Sequence, residues 1–169
     1  IGKEPNNSTE FDRCIDIIDS SIKEMRHVAH SLMPEVLDKF GLDTALKNFC
    51  TDINTDSKAN IVYQSFGLKE IEIDKKTSLT AYRVIQELIT NAIKHADAKN
   101  IMVQLTVVDQ MLSITVEDDG KGFDPEEMKK KKGIGLINIE SRIQFVNGKL
   151  DIQSEINNGS SFFAELKLS

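Results

Sequence analysis

The sequence predicts a two-layer α/β sandwich, a mixed sheet of about five strands covered by helices, preceded by one long heptad helix. Three observations predict it. Phe11, Ile15, Ile18, Ile22, Met25, Ala29 and Leu32 succeed one another at alternating spacings of 4 and 3, a sustained a/d seam. Ala81, Val84, Ile85, Leu88, Ile89, Ala92 and Ile93 share one side of a helix whose other side is polar. Ile101, Val103, Leu105 and Val107, then Leu112, Ile114 and Val116, alternate with more polar neighbours on either side of Asp109-Gln110, the pattern of a hairpin.

Each element carries its own signals. Asn7 with Glu10 caps the heptad helix, and Pro34 ends it. A linker over 34–46 leads into a helix that Asp43 or Thr44 caps; it runs to about Asp56 and buries Ala45, Leu46, Phe49 and Ile53. Residues 61–66 read as a strand, and the long polar–apolar helix and the hairpin come next. A helix opening at Gly135 ends at Asn147-Gly148, where a left-handed residue closes a C-terminus. Residues 150–153 and 162–168 complete the sheet.

Composition excludes several classes. A chain of 169 residues that is 40% apolar holds a core and one appendage. Its net charge of −6 argues against a phosphate backbone as partner, which needs a basic surface. Cys14 and Cys50 lack metal-ligand spacing and read as isolated thiols in a reducing compartment. No apolar run is long enough for a membrane span or signal peptide, so the expectation is a cytoplasmic protein, or the cytoplasmic part of a membrane-anchored sensor, with no membrane contact of its own.

The chemistry concentrates in the second half. At 100° per residue, Arg83, Glu87, Asn91 and Lys94 fall within an arc of roughly 80°, so an acid and an amide reach one place over the edge of the core. Taken alone, such a row also suits a solvated helix face. An Asn oxygen is a hard ligand suited to Mg²⁺, and a neighbouring carboxylate can take a proton or orient a nucleophile. Two glycine loops come after it: Asp119-Gly120-Lys121-Gly122 at the end of a strand, and Gly133-Ile134-Gly135-Leu136 opening a helix. A strand-end carboxylate, here Asp119, can accept from an exocyclic amine, and backbone N–H groups at a helix start suit phosphate. Between the loops stand Lys129 to Lys132; most read as a solvated run, and Lys132, beside Gly133, is the one expected to meet a phosphate.

These motifs resemble the ATP-binding domain of sensor histidine kinases, in the GHKL superfamily shared with gyrase and MutL. Residues 87–96 are similar to its N box, 119–122 to its first glycine box, 133–136 to its second, and Gly159-Ser160 to its Gly-Thr pair with the hydroxyl kept. Leu32-Met33-Pro34 through Ala45-Leu46 resembles the short-lidded subfamily whose partner regulators carry helix-turn-helix output domains. The resemblance implies a Bergerat-type sandwich over 35–169. It also implies that 1–34 is the second helix of a dimerisation and phosphotransfer hairpin, whose acceptor helix is not in this sequence. It implies ATP and Mg²⁺ as ligands and a response regulator as partner, with a homodimer formed through the heptad helix. Glu87 is then the catalytic residue that activates a histidine, and Asn91 the Mg²⁺ ligand. His95, Asp119, Gly122, Lys132, Gly133, Gly135, Leu136 and Ser160 complete the ATP contacts. His27 and His30 are followed by Val28 and Ser31 where the family's acceptor precedes an acid, so this chain carries no phosphoacceptor. A superfamily serine kinase of the anti-sigma type and a non-catalytic ATP-gated module are the rival readings. The heptad helix argues against the first, and intact Glu87 and Asn91 against the second.

Overall fold

The computed structural model describes residues 34–68, 71–125 and 134–168, together with Ile15 and Ile18. Its compact unit Pro34–Ser169 is built from α1 (Pro34–Asp56), β1 (Asn60–Phe66), α2 (Lys75–His95), β2 (Asn100–Val108), β3 (Met111–Asp118), α3 (Ile134–Phe145), β4 (Lys149–Ser154) and β5 (Ser160–Lys167). The five strands form one sheet in the order β1-β2-β3-β5-β4, with β1 parallel to β2 and every other pair antiparallel. This is the mixed α/β fold expected. The heptad helix lies outside the described residues except for Ile15 and Ile18, which are helical and exposed.

One face of the sheet makes the core. Ile101, Val103, Leu105, Leu112, Ile114, Val116, Phe162, Ala164 and Leu166 point inward from alternate positions, against Leu46, Phe49, Val84, Ile85, Leu88, Ile89, Ile139 and Ile143 of the helices. The opposite face, with Val62, Phe66, Met102 and Phe163, stays exposed. Among the described residues no buried side-chain polar atom lacks a partner, and no helix is long and apolar enough to cross a membrane.

Local chemistry explains the ends. The Asp74 carboxylate accepts the Thr77 N–H at 3.0 Å and starts α2; Lys94 and His95 in the last turn complement the helix dipole. Asp109 and Gln110, both at positive φ (50° and 61°), make the two-residue turn whose twist suits a hairpin. The Gly148 N–H closes α3 on the Ile143 carbonyl at 2.9 Å, with Asn147 left-handed at φ 55°.

The start of α1 departs from expectation. Residues 35–40, read as linker after a helix-ending proline, are helical, and α1 is continuous in position but broken at Gly41 (φ 77°, ψ 173°). Proline suits a first helical turn, where its missing N–H has no partner to lose. Gly41 supplies the break, in a backbone region nearly closed to residues with a Cβ.

Strand parity carries a polar row past the end of the core. Inward positions on β3 continue from Val116 to Asp118, on β5 from Phe162 back to Ser160, and on β4 from Ile152 to Ser154. Asp118 pairs with Ser160, and Ser160 with Ser154, so three polar side chains form one row across three strands. The apolar core ends there.

Candidate functional site

Beyond the core edge the last turns of α2, the β3–α3 loop and the start of α3 enclose a cleft of about 620 Å³. Residues on α2 supply Glu87, Leu88, Asn91, Ala92, Lys94 and His95; the sheet end supplies Asp118, Ser160 and Phe162; the loop and α3 supply Lys121, Gly122, Phe123, Gly135 and Leu136. The size falls in the range of small-molecule sites, and the lining combines an apolar body with a few polar groups.

The polar groups occupy two regions. In the first, Glu87 and Asn91 converge on the start of α3: a Cβ added to Gly135 would stand 3.1 Å from Glu87 Oε1 and 3.4 Å from Asn91 Nδ2. A side chain there would press on the Glu87 carboxylate and meet the Asn91 amide, so glycine lets the start of α3 lie against both heads. The second region belongs to Asp118. Its carboxylate accepts the Gly120 N–H at 2.9 Å and a hydrogen bond from the Ser160 hydroxyl. Burial raises its pKa above the ordinary aspartate value, offset in part by those two donors, and the neighbouring Asp119 charge raises it further. The Phe123 and Phe162 rings, 6.2 Å apart between centroids, form an aromatic wall of the cleft.

Asp119, expected as the ligand carboxylate, is not in the cleft. It is exposed and turned back toward the strand β2, where its oxygens accept from Lys99 N–H at 2.7 Å, Asn100 N–H at 2.9 Å and Asn100 Nδ2 at 2.8 Å. Those donors, the Asn100 backbone first, hold its pKa below the usual range. Its three donors already engage it in bracing two chain segments. The reason is parity: Asp119 lies one residue past β3, whereas Asp118 is the last inward position.

The structure thus brings together Glu87, Asn91, His95, Gly122, Gly135, Leu136 and Ser160 and leaves Asp119 out. Lys132 and Gly133 lie outside the described residues. Sequence reasoning missed Asp118, Phe123 and Phe162, and placed Lys94 on the polar arc without giving it a role. Counting the alternation 112, 114, 116 one step further would have found Asp118, and 166, 164 one step back Phe162.

An open-faced mixed sheet with a carboxylate, an acid–amide pair and a glycine-lined helix start around one cleft defines a nucleotide-binding domain. Residues 76–169 match the family of histidine kinase-, DNA gyrase B- and HSP90-like ATPases, more than half of the sequence, and the chain belongs to that family. Its fold is also that of solved histidine kinases. The histidine kinase domain of a blue-light activated histidine kinase from Erythrobacter litoralis superposes with a TM-score of 0.60 at 23% identity, covering 75% of this chain and 61% of that one. A longer structure of the blue-light activated kinase gives 0.60 at 24% identity, covering 76% and 42%. The catalytic domain of the histidine kinase ThkA gives 0.57 at 19% identity, covering 75% and 91%. The chain therefore spans less than two thirds of the length of the first two.

Proposed function

We infer that this chain is the ATP-binding catalytic part of a sensor histidine kinase. It would transfer the γ-phosphoryl group of ATP to a histidine on another helix, for relay to an aspartate of a response regulator. The observation that supports the reading best is the convergence of Glu87, Asn91 and Asp118 on one cleft, with the base-recognising carboxylate and the acid–amide pair in separate regions of it.

Each residue then has a chemical task. The Asp118 carboxylate accepts the exocyclic amine of adenine; guanine presents a carbonyl there, which a carboxylate repels. Phe123 and Phe162 offer apolar surface to the base. Backbone N–H groups at Gly135 and Leu136 face the phosphates, with Lys94 and His95 placed to neutralise charge. Asn91, a hard oxygen donor beside the Glu87 carboxylate, fits Mg²⁺, which takes one or two side-chain oxygens and completes its shell with phosphates and water. When bound, that ion would neutralise phosphate charge. Glu87 orients or deprotonates the incoming imidazole. Little covalent chemistry is asked of the protein, and positioning and electrostatics carry the transfer. Within this proposal residues 1–34 pair with a second copy, and the subfamily is the short-lidded one with helix-turn-helix regulators.

A thermal-shift series with ATP, GTP and Mg²⁺ tests the reading. At about a hundred times its dissociation constant, ATP should stabilise the fold by roughly 2.7 kcal/mol. Equal shifts with ATP and GTP would remove the role given to Asp118. Glu87→Gln should keep the shift and lose transfer to a histidine-bearing partner helix.

A further inference from the structure

The row Asp118–Ser160–Ser154 contains one residue that does not line the cleft. The Ser154 hydroxyl accepts the Phe123 N–H at 2.9 Å, lies 2.9 Å from the Gly159 carbonyl oxygen, and stands 3.1 Å from the Ser160 hydroxyl. It therefore joins the end of β4 to both loops whose residues meet the ligand, Gly122-Phe123 and Gly159-Ser160. A hydroxyl has one proton and two lone pairs, so beside the accepted Phe123 N–H the Ser154 proton can serve either the Gly159 carbonyl or Ser160, not both.

The proton inventory gives Ser154 a further consequence. Ser160 also has one proton, and two acceptors compete for it: the Asp118 carboxylate and the Ser154 oxygen. A carboxylate is the stronger acceptor, so with Asp118 ionised the Ser160 proton points at Asp118. Ser154 then gives its own proton to Ser160 or to the Gly159 carbonyl. Only when it goes to Ser160 is the 3.1 Å contact a hydrogen bond, and the relay Phe123 N–H to Ser154 to Ser160 to Asp118 then fixes the Ser160 rotamer. Without the Ser154 proton donated to its oxygen, Ser160 is free to turn its own proton off Asp118, and the Phe123 N–H loses its acceptor.

We propose that Ser154 is a positioning residue for adenine recognition: through the Ser160 hydroxyl it holds the Asp118 carboxylate aligned with the exocyclic amine, while touching no part of the nucleotide. This rests on the ATP-binding function proposed above. The effect should fall chiefly on the part of the affinity that depends on the amine, with a smaller, amine-independent loss from the freed Phe123 N–H.

The experiment compares, on the full chain, dissociation constants for ATP and for purine riboside triphosphate, which lacks the amine. Ser154→Ala and the near-isosteric Ser154→Cys should each weaken ATP binding roughly three- to tenfold, the range for one lost hydrogen bond. Binding of the amine-free analogue should change less than about twofold, so the preference between the two nucleotides shrinks. Ser154→Thr, which keeps the hydroxyl, should restore it. Cysteine fills the space of serine, so it carries the test if the alanine variant folds poorly. Equal losses for both nucleotides, or no loss for either, would make Ser154 merely structural and overturn the proposal. A wild type that prefers ATP while the variants keep that preference sinks this inference alone. A wild type that binds no ATP sinks the function beneath it as well.

Discussion

Two adjacent aspartates differ in everything but their chemistry. Asp118 is half-buried with two donors and a raised pKa; Asp119 is exposed with three donors and a lowered one. The signs of their linkage are opposite. A raised folded-state pKa means that the fold binds the Asp118 proton more tightly than the unfolded chain does. Its contribution to stability therefore declines as pH rises from the ordinary value, about 3.9, through the raised one. Asp119 contributes stability above the ordinary value, and that contribution is lost as pH falls through its lowered pKa. Asp118→Asn should therefore leave the fold as stable as before, or more so, at neutral pH, and abolish the ATP preference because an amide nitrogen would face the amine. Asp119→Asn should cost about 1 kcal/mol by weakening its hydrogen bonds, with ATP affinity within about threefold of wild type. The ratio of ATP to amine-free analogue affinity should fall on acidification at a higher pH than an ordinary aspartate titrates. Calorimetric titration of the variants across pH decides it; a binding loss confined to Asp119→Asn would return the ligand role to Asp119. Reading the sequence alone errs by one residue here because two carboxylates precede the glycines, and only strand parity separates them. Glu87 and Asn91, by contrast, were legible, because a four-residue helical spacing leaves no ambiguity of face.

Elements were legible where a local signal fixed both type and boundary. The β2–β3 hairpin and the end of α3 fell where the alternation and the Asn-Gly pair put them, since each boundary is made by backbone conformation within a few residues. The start of α1 was not, because a proline reads equally as a stop or as a first helical residue, and tertiary packing chooses. Two glycines show what such boundaries cost to change. Gly41 (φ 77°) has nothing within 4 Å of an added Cβ, so Gly41→Ala should meet backbone strain alone, about 1–3 kcal/mol, with ATP affinity unchanged. Gly159 (φ 74°) would drive a Cβ into the Asp118 carbonyl oxygen. There strain adds to a backbone collision beside the recognition row, so Gly159→Ala should lose more than about 3 kcal/mol together with ATP binding. Urea unfolding with ATP titration on both variants checks it; equal costs at the two sites would show that the collision is relieved by a shift of the loop.

At the scale of the whole chain, the question is what can receive the phosphoryl group. Three histidines are available, and one of them, His95, lines the cleft. It stands on the same helix as Glu87, eight residues on, about 12 Å along the axis at 1.5 Å per residue. A base on one turn cannot activate an imidazole two turns away on the same rigid rod, since transfer needs reacting atoms within about 3–3.5 Å. His95 is therefore not placed to be activated by Glu87 as an acceptor, and under the proposed function it contacts phosphate instead. His27 and His30 fall outside the described residues, and the sequence around them lacks the acidic neighbour that acceptor histidines have in the family resembled. The expected outcome is that the chain, incubated with γ-labelled ATP and Mg²⁺, gains no acid-labile, base-stable phosphate. His95→Gln should weaken ATP binding several-fold while the absence of label persists, because a hydrogen bond to a charged oxygen is lost and no acceptor is. Adding a separate helix that bears a histidine followed by an acid should produce label on that helix, dependent on Glu87. Label on the chain itself that disappears in His27→Gln or His30→Gln would move the acceptor into residues 1–34 and end the assignment of that segment as the acceptor-free helix of the hairpin.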